Sequence, residues 1–217
     1  MINYNALNIP VFNKVTAQAA SILDIGCGTG EMGNALKKQQ PHRKVYGITY
    51  SQSEMQVAEQ YLDKVWLVDL NEKIPILNTE FDCVILSHVL EHTYQPTQVL
   101  AGFTPYLKNS GMSIVALPNI MFYKQRLKFL RGKFTYSQEG GLMDVTHFRF
   151  FDWPSAQQMC IDAGFEIVSK EATGIFPLPI FRTLFPSIAK RIDNYFVRVY
   201  PGLFGFQFIF TLRKAVR

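Results

Sequence analysis

The chain has 217 residues, 48% of them hydrophobic and 18% charged, which suits one α/β-sized domain with a full core and excludes a disordered protein. Its 22 basic residues outnumber 17 acidic ones, and the net charge of +5 suits an anionic substrate, a membrane surface or nucleic acid without choosing among them. Cys27, Cys83 and Cys160 lie far apart with no CxxC spacing, so a reducing, cytoplasmic setting is expected rather than a disulfide framework. No leader pattern opens the chain, and Pro177, Pro179, Arg182 and Pro186 break its most apolar region short of membrane-spanning length.

From residue 21 onward, short apolar runs alternate with amphipathic stretches, the pattern of a largely parallel sheet with helices on both faces. The runs predict strands over 21–25, 44–49, 65–68, 81–87, 112–117, 165–172 and 206–212. Helices are predicted over 30–38, 52–61, 96–106, 123–130 and 154–163. Ser53 can cap the second helix, Asp152 ahead of Trp153-Pro154 the last one, and Gly164 can end it. Two stretches stand outside the alternation: 119–151, rich in aromatic and basic residues, and 174–203, apolar and punctuated by proline. Within a single domain over 1–217 they are expected to be insertions over the ligand-binding edge, forming a substrate lid; ordinary peripheral helices are the alternative.

The first strand runs into Asp24-Ile25-Gly26-Cys27-Gly28-Thr29-Gly30, an acidic residue followed by three alternating glycines at a strand-to-helix turn. Glycines there let backbone N–H groups approach a small ligand closely. Asp24 would repel a pyrophosphate and attract an ammonium group, which favours an amino-acid-bearing cofactor such as S-adenosylmethionine. Gly28-Thr29-Gly30-Glu31-Met32-Gly33 also spells a dinucleotide fingerprint, but the second strand runs into Thr49-Tyr50-Ser51 without the carboxylate such a site wants. An ordinary turn without a ligand explains neither the glycines nor the acid.

The later strand ends continue the series. Thr49 offers a hydroxyl for ribose and Tyr50 an aromatic face for a sulfonium; Asp69 can accept from an adenine amino group, with Leu70 packing on the ring. After the fourth strand comes Ser87-His88-Val89-Leu90-Glu91-His92, which resembles an inverted zinc-protease motif. A zinc site needs a third protein ligand and a helix long enough to hold both histidines. This segment directly follows a buried strand and Pro96 limits its length, so no metal is expected; Ser87 and His88 are read instead as lining the cofactor's methionine end. His92, and His147 within Asp144-Val145-Thr146-His147-Phe148-Arg149-Phe150-Phe151, are the candidate general bases for a hydroxyl or amine nucleophile. A structural role is the alternative for His147. Residues 122–134 interleave basic and aromatic side chains, which describes a nucleic-acid surface, a membrane-facing helix or a solvated face over a core stripe.

Taken together, the glycine turn, Asp69, the Ser87 to His92 stretch, Leu107-Lys108-Asn109-Ser110-Gly111 and Ala163-Gly164-Phe165-Glu166-Ile167-Val168 resemble the class I S-adenosylmethionine-dependent methyltransferases. The chain looks like the bacterial branch of MetW and the ubiquinone O-methyltransferases. The resemblance implies a Rossmann-like three-layer sandwich, with a seven-stranded, mostly parallel sheet whose last strand is antiparallel. It implies that Asp24, Gly26, Cys27, Gly28 and Gly30 hold the methionine moiety and Asp69 the adenine. Thr49 departs from the family's acidic residue after strand two, and Gly47-Ile48-Thr49-Tyr50-Ser51 looks more like the cyclopropane-fatty-acid synthase version. His88 stands where the ubiquinone enzymes carry a metal-binding acid. The implied activity is methyl transfer, most simply to oxygen, on a small-molecule or lipid- or sugar-linked acceptor. Peripheral contact at the inner membrane face fits the same reading. A non-catalytic cofactor-binding regulator and a nucleic-acid methyltransferase are the competing functions.

Overall fold

In the computed structural model, which describes residues 7–215, a central sheet grows from the strand that carries the acidic turn. Helix α1 (Ile9–Phe12) precedes β1 (Ser21–Ile25), whose side chains beyond Ser21 are all buried. Then come α2 (Glu31–Gln39), β2 (Lys44–Thr49), α3 (Gln52–Ala58), β3 (Lys64–Leu67), β4 (Phe81–Ser87), α4 (Pro96–Gly102), β5 (Leu107–Pro118) and α5 (Tyr123–Leu130). The chain closes with α6 (Trp153–Asp162), β6 (Phe165–Gly174), α7 (Pro179–Leu184), α8 (Pro186–Val199), α9 (Pro201–Phe204) and β7 (Gly205–Lys214).

The seven strands lie in the order β3-β2-β1-β4-β5-β7-β6. β1 to β5 pair in parallel, and β7 inserts antiparallel between β5 and β6, as the resemblance implied. Alternation along the buried strands sends Leu23, Val84 and Leu86 to one face and Ile22, Cys83 and Ile85 to the other. Val99, Leu100, Ala156 and Met159 cover the first face, and Val11, Met32, Leu36 and Ala58 the second, giving three layers. At the amino edge of the sheet, buried Arg43 donates to the carbonyls of Thr16, Ala19 and Leu36. Asp82 accepts from Ala20 and Ser21, and Lys108 pairs with it; burial opposes these bonds, but together they hold its carboxyl down at about 2.

Several predicted boundaries shift for identifiable reasons. Ser51, not Ser53, caps α3, accepting from the Glu54 N–H. Asp152 and Ser155 form a capping box at α6, and Gly164 leaves it at φ +86°, both as expected. β6 and β7 extend beyond their predicted ends because each pairs with the other over polar positions that periodicity alone does not mark. The prolines of 174–203 do not merely interrupt: Pro179, Pro186 and Pro201 each open a helix, where a missing N–H costs nothing.

Candidate functional site

Because β1 to β5 are parallel, their carboxyl ends share one edge, and a cavity of about 840 Å³ opens there. Of the residues the sequence nominated, Gly26, Gly28, Thr49, Tyr50, Asp69, Leu70, Ser87, His88 and His92 line it.

Asp24, Cys27 and Gly30 lie behind that wall. Asp24 sits on β1 one residue short of the turn, 4% exposed, with no hydrogen-bond or ion-pair partner among the described residues. Burial alone raises its carboxyl to about 7. The Cys27 thiol packs in the core, 2.6 Å from where a Cβ on Gly47 would stand, and burial pushes its ionisation far up. Gly30 is the left-handed N-cap of α2, pressed on Ala58. Gly26 and Gly28 are required for different reasons. A Cβ on Gly26, at φ +70°, would meet Val89 at 2.4 Å, whereas the Cβ direction of Gly28, at φ +52°, points to open space.

At the end of β2, Thr49 donates its hydroxyl to Glu54 Oε2 at 2.7 Å. Glu54, in the first turn of α3, lines the cavity and supplies the carboxylate that the strand end lacks. Sequence reading looked for an acid on the strand itself and missed Glu54; the signal was the helix start immediately after Ser51. Past β3, Asp69 Oδ1 accepts from the Asn71 N–H, and Asn71 in turn bonds the His92 carbonyl and the Tyr94 N–H. The Asn71 side chain ties the loop after β3 to the loop after β4.

His88 holds a left-handed φ of +57°, rare for a residue with a Cβ. Its Nδ1 meets Glu91 Oε1 at 3.1 Å and its Nε2 meets Gln207 Oε1 at 2.8 Å. Burial lowers its pKa, but the Glu91 hydrogen bond and charge outweigh that and leave it raised. Two acceptors on one ring favour the doubly protonated imidazolium. Asn8 completes the network by donating to Ser87 Oγ and Gln207 Oε1.

His92 Nδ1 lies 3.1 Å from the Thr146 carbonyl, which can only accept, so the neutral ring carries its proton on Nδ1 and its basic lone pair on Nε2. His147 stands behind His92 and does not line the cavity. It is 4% exposed, its ring sits edge-on to His92 at 4.7 Å, and burial lowers its pKa, only partly offset by Glu91 and Asp144. The reason is local: Glu91 O accepts the N–H groups of Phe148 and Arg149, which turns His147 inward and leaves Thr146 and Phe148 on the wall. Arg149 donates to the Tyr94 carbonyl. Glu91, His92 and His147 bring their donor atoms within 4.8 Å of one another, a set that could hold either a divalent cation or protons in relay. Among the described residues, Glu91 Oε2 is buried there without a hydrogen-bond partner.

The residues fit an S-adenosylmethionine-like ligand. A buried carboxylate without its own cation suits an ammonium group, the Gly28 cradle leaves room that a side chain would fill, and Glu54 and Asp69 offer carboxylates at adjacent strand ends. Solved structures share the fold. A S-adenosylmethionine-dependent methyltransferase from Archaeoglobus fulgidus superposes with a TM-score of 0.60 at 20% identity, covering 95% of this chain and 89% of that one. The [4+2]-cyclase SpnF superposes at 0.61 and 20% identity, covering 96% and 80%, so the fold also carries another activity. An uncharacterised protein of Methanocaldococcus jannaschii is 26% identical over 85% of this chain and 77% of its own length. Residues 3–170 match the methyltransferase domain family, and the chain belongs to that family.

Proposed function

We propose that this protein transfers a methyl group from S-adenosylmethionine to an acceptor hydroxyl on a small molecule or on a lipid- or sugar-linked one. The carrying observation is Asp24, a buried carboxylate with no cation of its own beneath a glycine cradle. The bound cofactor supplies an electrophilic methyl group on a cationic sulfonium. Asp24 holds its ammonium group, Glu54 with Thr49 its ribose hydroxyls, and Asp69 with Leu70 its base. Methyl transfer is an in-line displacement, so the chain's remaining tasks are alignment, water exclusion and removal of one proton. His92 Nε2 accepts that proton, with Thr146 fixing the tautomer. His147 and Glu91 act through His92 as positioning residues and hold no metal. Tyr94 and Phe148, whose tilted rings lie 4.4 Å apart on the cavity wall, position the acceptor, while 119–151 and 174–203 form the lid. The resemblance to the MetW and ubiquinone O-methyltransferase branch supports oxygen as the acceptor atom and a cytoplasmic setting.

Calorimetric titration with S-adenosylhomocysteine, followed by turnover on free and lipid-linked hydroxyl acceptors, tests the reading. Saturable binding together with methylated product is expected. No binding removes the cofactor assignment, and binding without product from any acceptor leaves a cofactor-binding regulator.

A further inference from the structure

Both insertions leave the sheet at the cavity edge: one follows β5, and the other joins the end of β6 to the start of β7. They meet where Tyr123 of α5 touches Phe204 of α9, ring centroids 6.2 Å apart. Inside the second insertion, Phe176 stacks on Phe196 at 4.0 Å, and Arg182 pairs with Asp193 to lock α7 against α8. With that inner face filled, the outer face carries exposed apolar residues. Ile180 and Leu184 are 77% and 67% exposed one turn apart on α7. Ile188, Tyr195 and Val199, also exposed, form one stripe on α8 at helical spacing, and Arg191 and Arg198 border it.

The charge distribution is equally one-sided. Residues 119–134 and 174–203 hold nine of the 22 basic residues and one of the 17 acidic ones, Asp193, which Arg182 already engages. The rest of the chain keeps thirteen basic residues against sixteen acidic ones and is net negative.

We propose that the outer face of α7 and α8, with the basic α5 beside it, docks on an anionic lipid bilayer and brings the cavity edge to the membrane. An aliphatic and aromatic stripe bordered by arginines matches the acyl–headgroup boundary, where the guanidinium heads reach phosphates while the stems stay apolar. A phosphodiester backbone offers nothing to cover Ile180 and Leu184, and a second copy would set two positive faces together. The inference rests on the methyl-transfer reading only for its purpose, the delivery of a lipid-linked acceptor, because vesicle binding is scored without turnover.

The test is co-sedimentation of the full chain with vesicles of phosphatidylcholine alone and with about 30% phosphatidylglycerol, at low and physiological salt. Binding at least tenfold tighter to the anionic vesicles and weakened by salt is expected. The double variant Leu184→Asp with Ile188→Asp and the double variant Arg191→Glu with Arg198→Glu should each lose about tenfold or more of it, while both keep the wild-type affinity for S-adenosylhomocysteine. No pelleting with anionic vesicles at low salt overturns the proposal, as does pelleting that both variants retain. A wild-type dimer that the apolar variant makes monomeric, without vesicle binding, assigns the face to self-association and overturns it too. A chain that binds vesicles but methylates nothing sinks the functional reading alone.

Discussion

The wall made by the ends of β1, β2 and β3 and the wall opposite are assembled in different ways. On the first, each contributing group comes from a turn a few residues long, as Thr49 reaches Glu54 five positions away. On the second, His88 meets Gln207 across 119 positions, and His92 meets Thr146 across 54. Short turns fix the groups of the first wall through local backbone geometry, whereas the opposite wall depends on how the β4 loop, the 119–151 insertion and β7 pack together. In the proposed reading the first wall holds the cofactor and the second meets the acceptor.

The sharpest way to separate the two walls is His92→Ala. Removing a positioned general base lowers the chemical step by about a hundredfold to ten-thousandfold. Because His92 belongs to the acceptor wall, kcat should fall while the calorimetric affinity for S-adenosylhomocysteine stays within about twofold. An unchanged kcat, or an equal loss of cofactor affinity, would dissolve the division between the walls. Chelation during the same assay should leave turnover unchanged, since the reading gives Glu91, His92 and His147 no metal to lose; a loss restored by a divalent cation would reassign that cluster.

Asp24→Asn attacks the opposite wall. Loss of a buried charge partner for an ammonium group costs about 3 kcal/mol, a hundredfold or more in affinity. The same variant should stabilise the ligand-free protein. Asp24 titrates at about 7 in the fold against an ordinary 3.8, so the folded chain binds the extra proton between those values. Its contribution to stability is most favourable below about pH 4 and is lost as pH rises towards 7. Asn carries no such penalty, so its Tm should exceed wild type at pH 8 and converge with it at low pH. Cofactor affinity of the wild type should in turn rise with pH up to about 7, as the carboxylate ionises, and then level off. A flat profile would falsify the assignment of Asp24 as the ammonium partner.

The same division explains how much could be read from the sequence. β1 and the Asp24 to Gly30 turn carry their information locally, in an apolar run, an acid and glycines at positive φ, and both the strand and its turn stand where expected. The prolines at 179, 186 and 201 misled because one residue type both breaks a helix interior and starts a helix, and only the packed structure chooses. The inward turn of His147 has a tertiary cause. Nothing within several residues of it indicates that the Glu91 carbonyl, 57 positions earlier, captures the Phe148 and Arg149 amides and turns the imidazole inward. Cys27 sits between two glycines of the turn, yet its thiol packs in the core. The direction of its side chain is set by Gly47 on the neighbouring strand, a pairing that the sequence of the turn does not contain.

Glu54 offers a finer cut, because it is a cofactor-wall group supplied by a helix instead of a strand end. Glu54→Ala removes one charge-assisted acceptor and should weaken S-adenosylhomocysteine about tenfold, with Glu54→Gln intermediate. kcat at saturating cofactor should not change, since the acceptor wall is untouched; a kcat loss with intact affinity would move Glu54 to the other wall.

The smallest effect comes from the residue that sets where Glu54 stands. Ser51 caps α3 by accepting the Glu54 N–H at 3.3 Å, and the same turn places the Glu54 carboxylate on Thr49. Ser51→Ala should cost about 1 kcal/mol of stability, seen as a Tm lower by about 2–4 °C for a chain of this size. It should weaken the cofactor by less than Glu54→Ala does, because the carboxylate remains and only its orientation loosens. Ser53→Ala is the control: among the described residues its hydroxyl meets only Ser51 Oγ, at 3.0 Å, and Ser51 is the cap of α3. Equal losses in the two serine variants would mean that the first turn of α3 is held by its packing rather than by its cap. The Glu54 carboxylate would then owe its place to the neighbouring strand, and the cofactor wall would be less local than the opposite one makes it look.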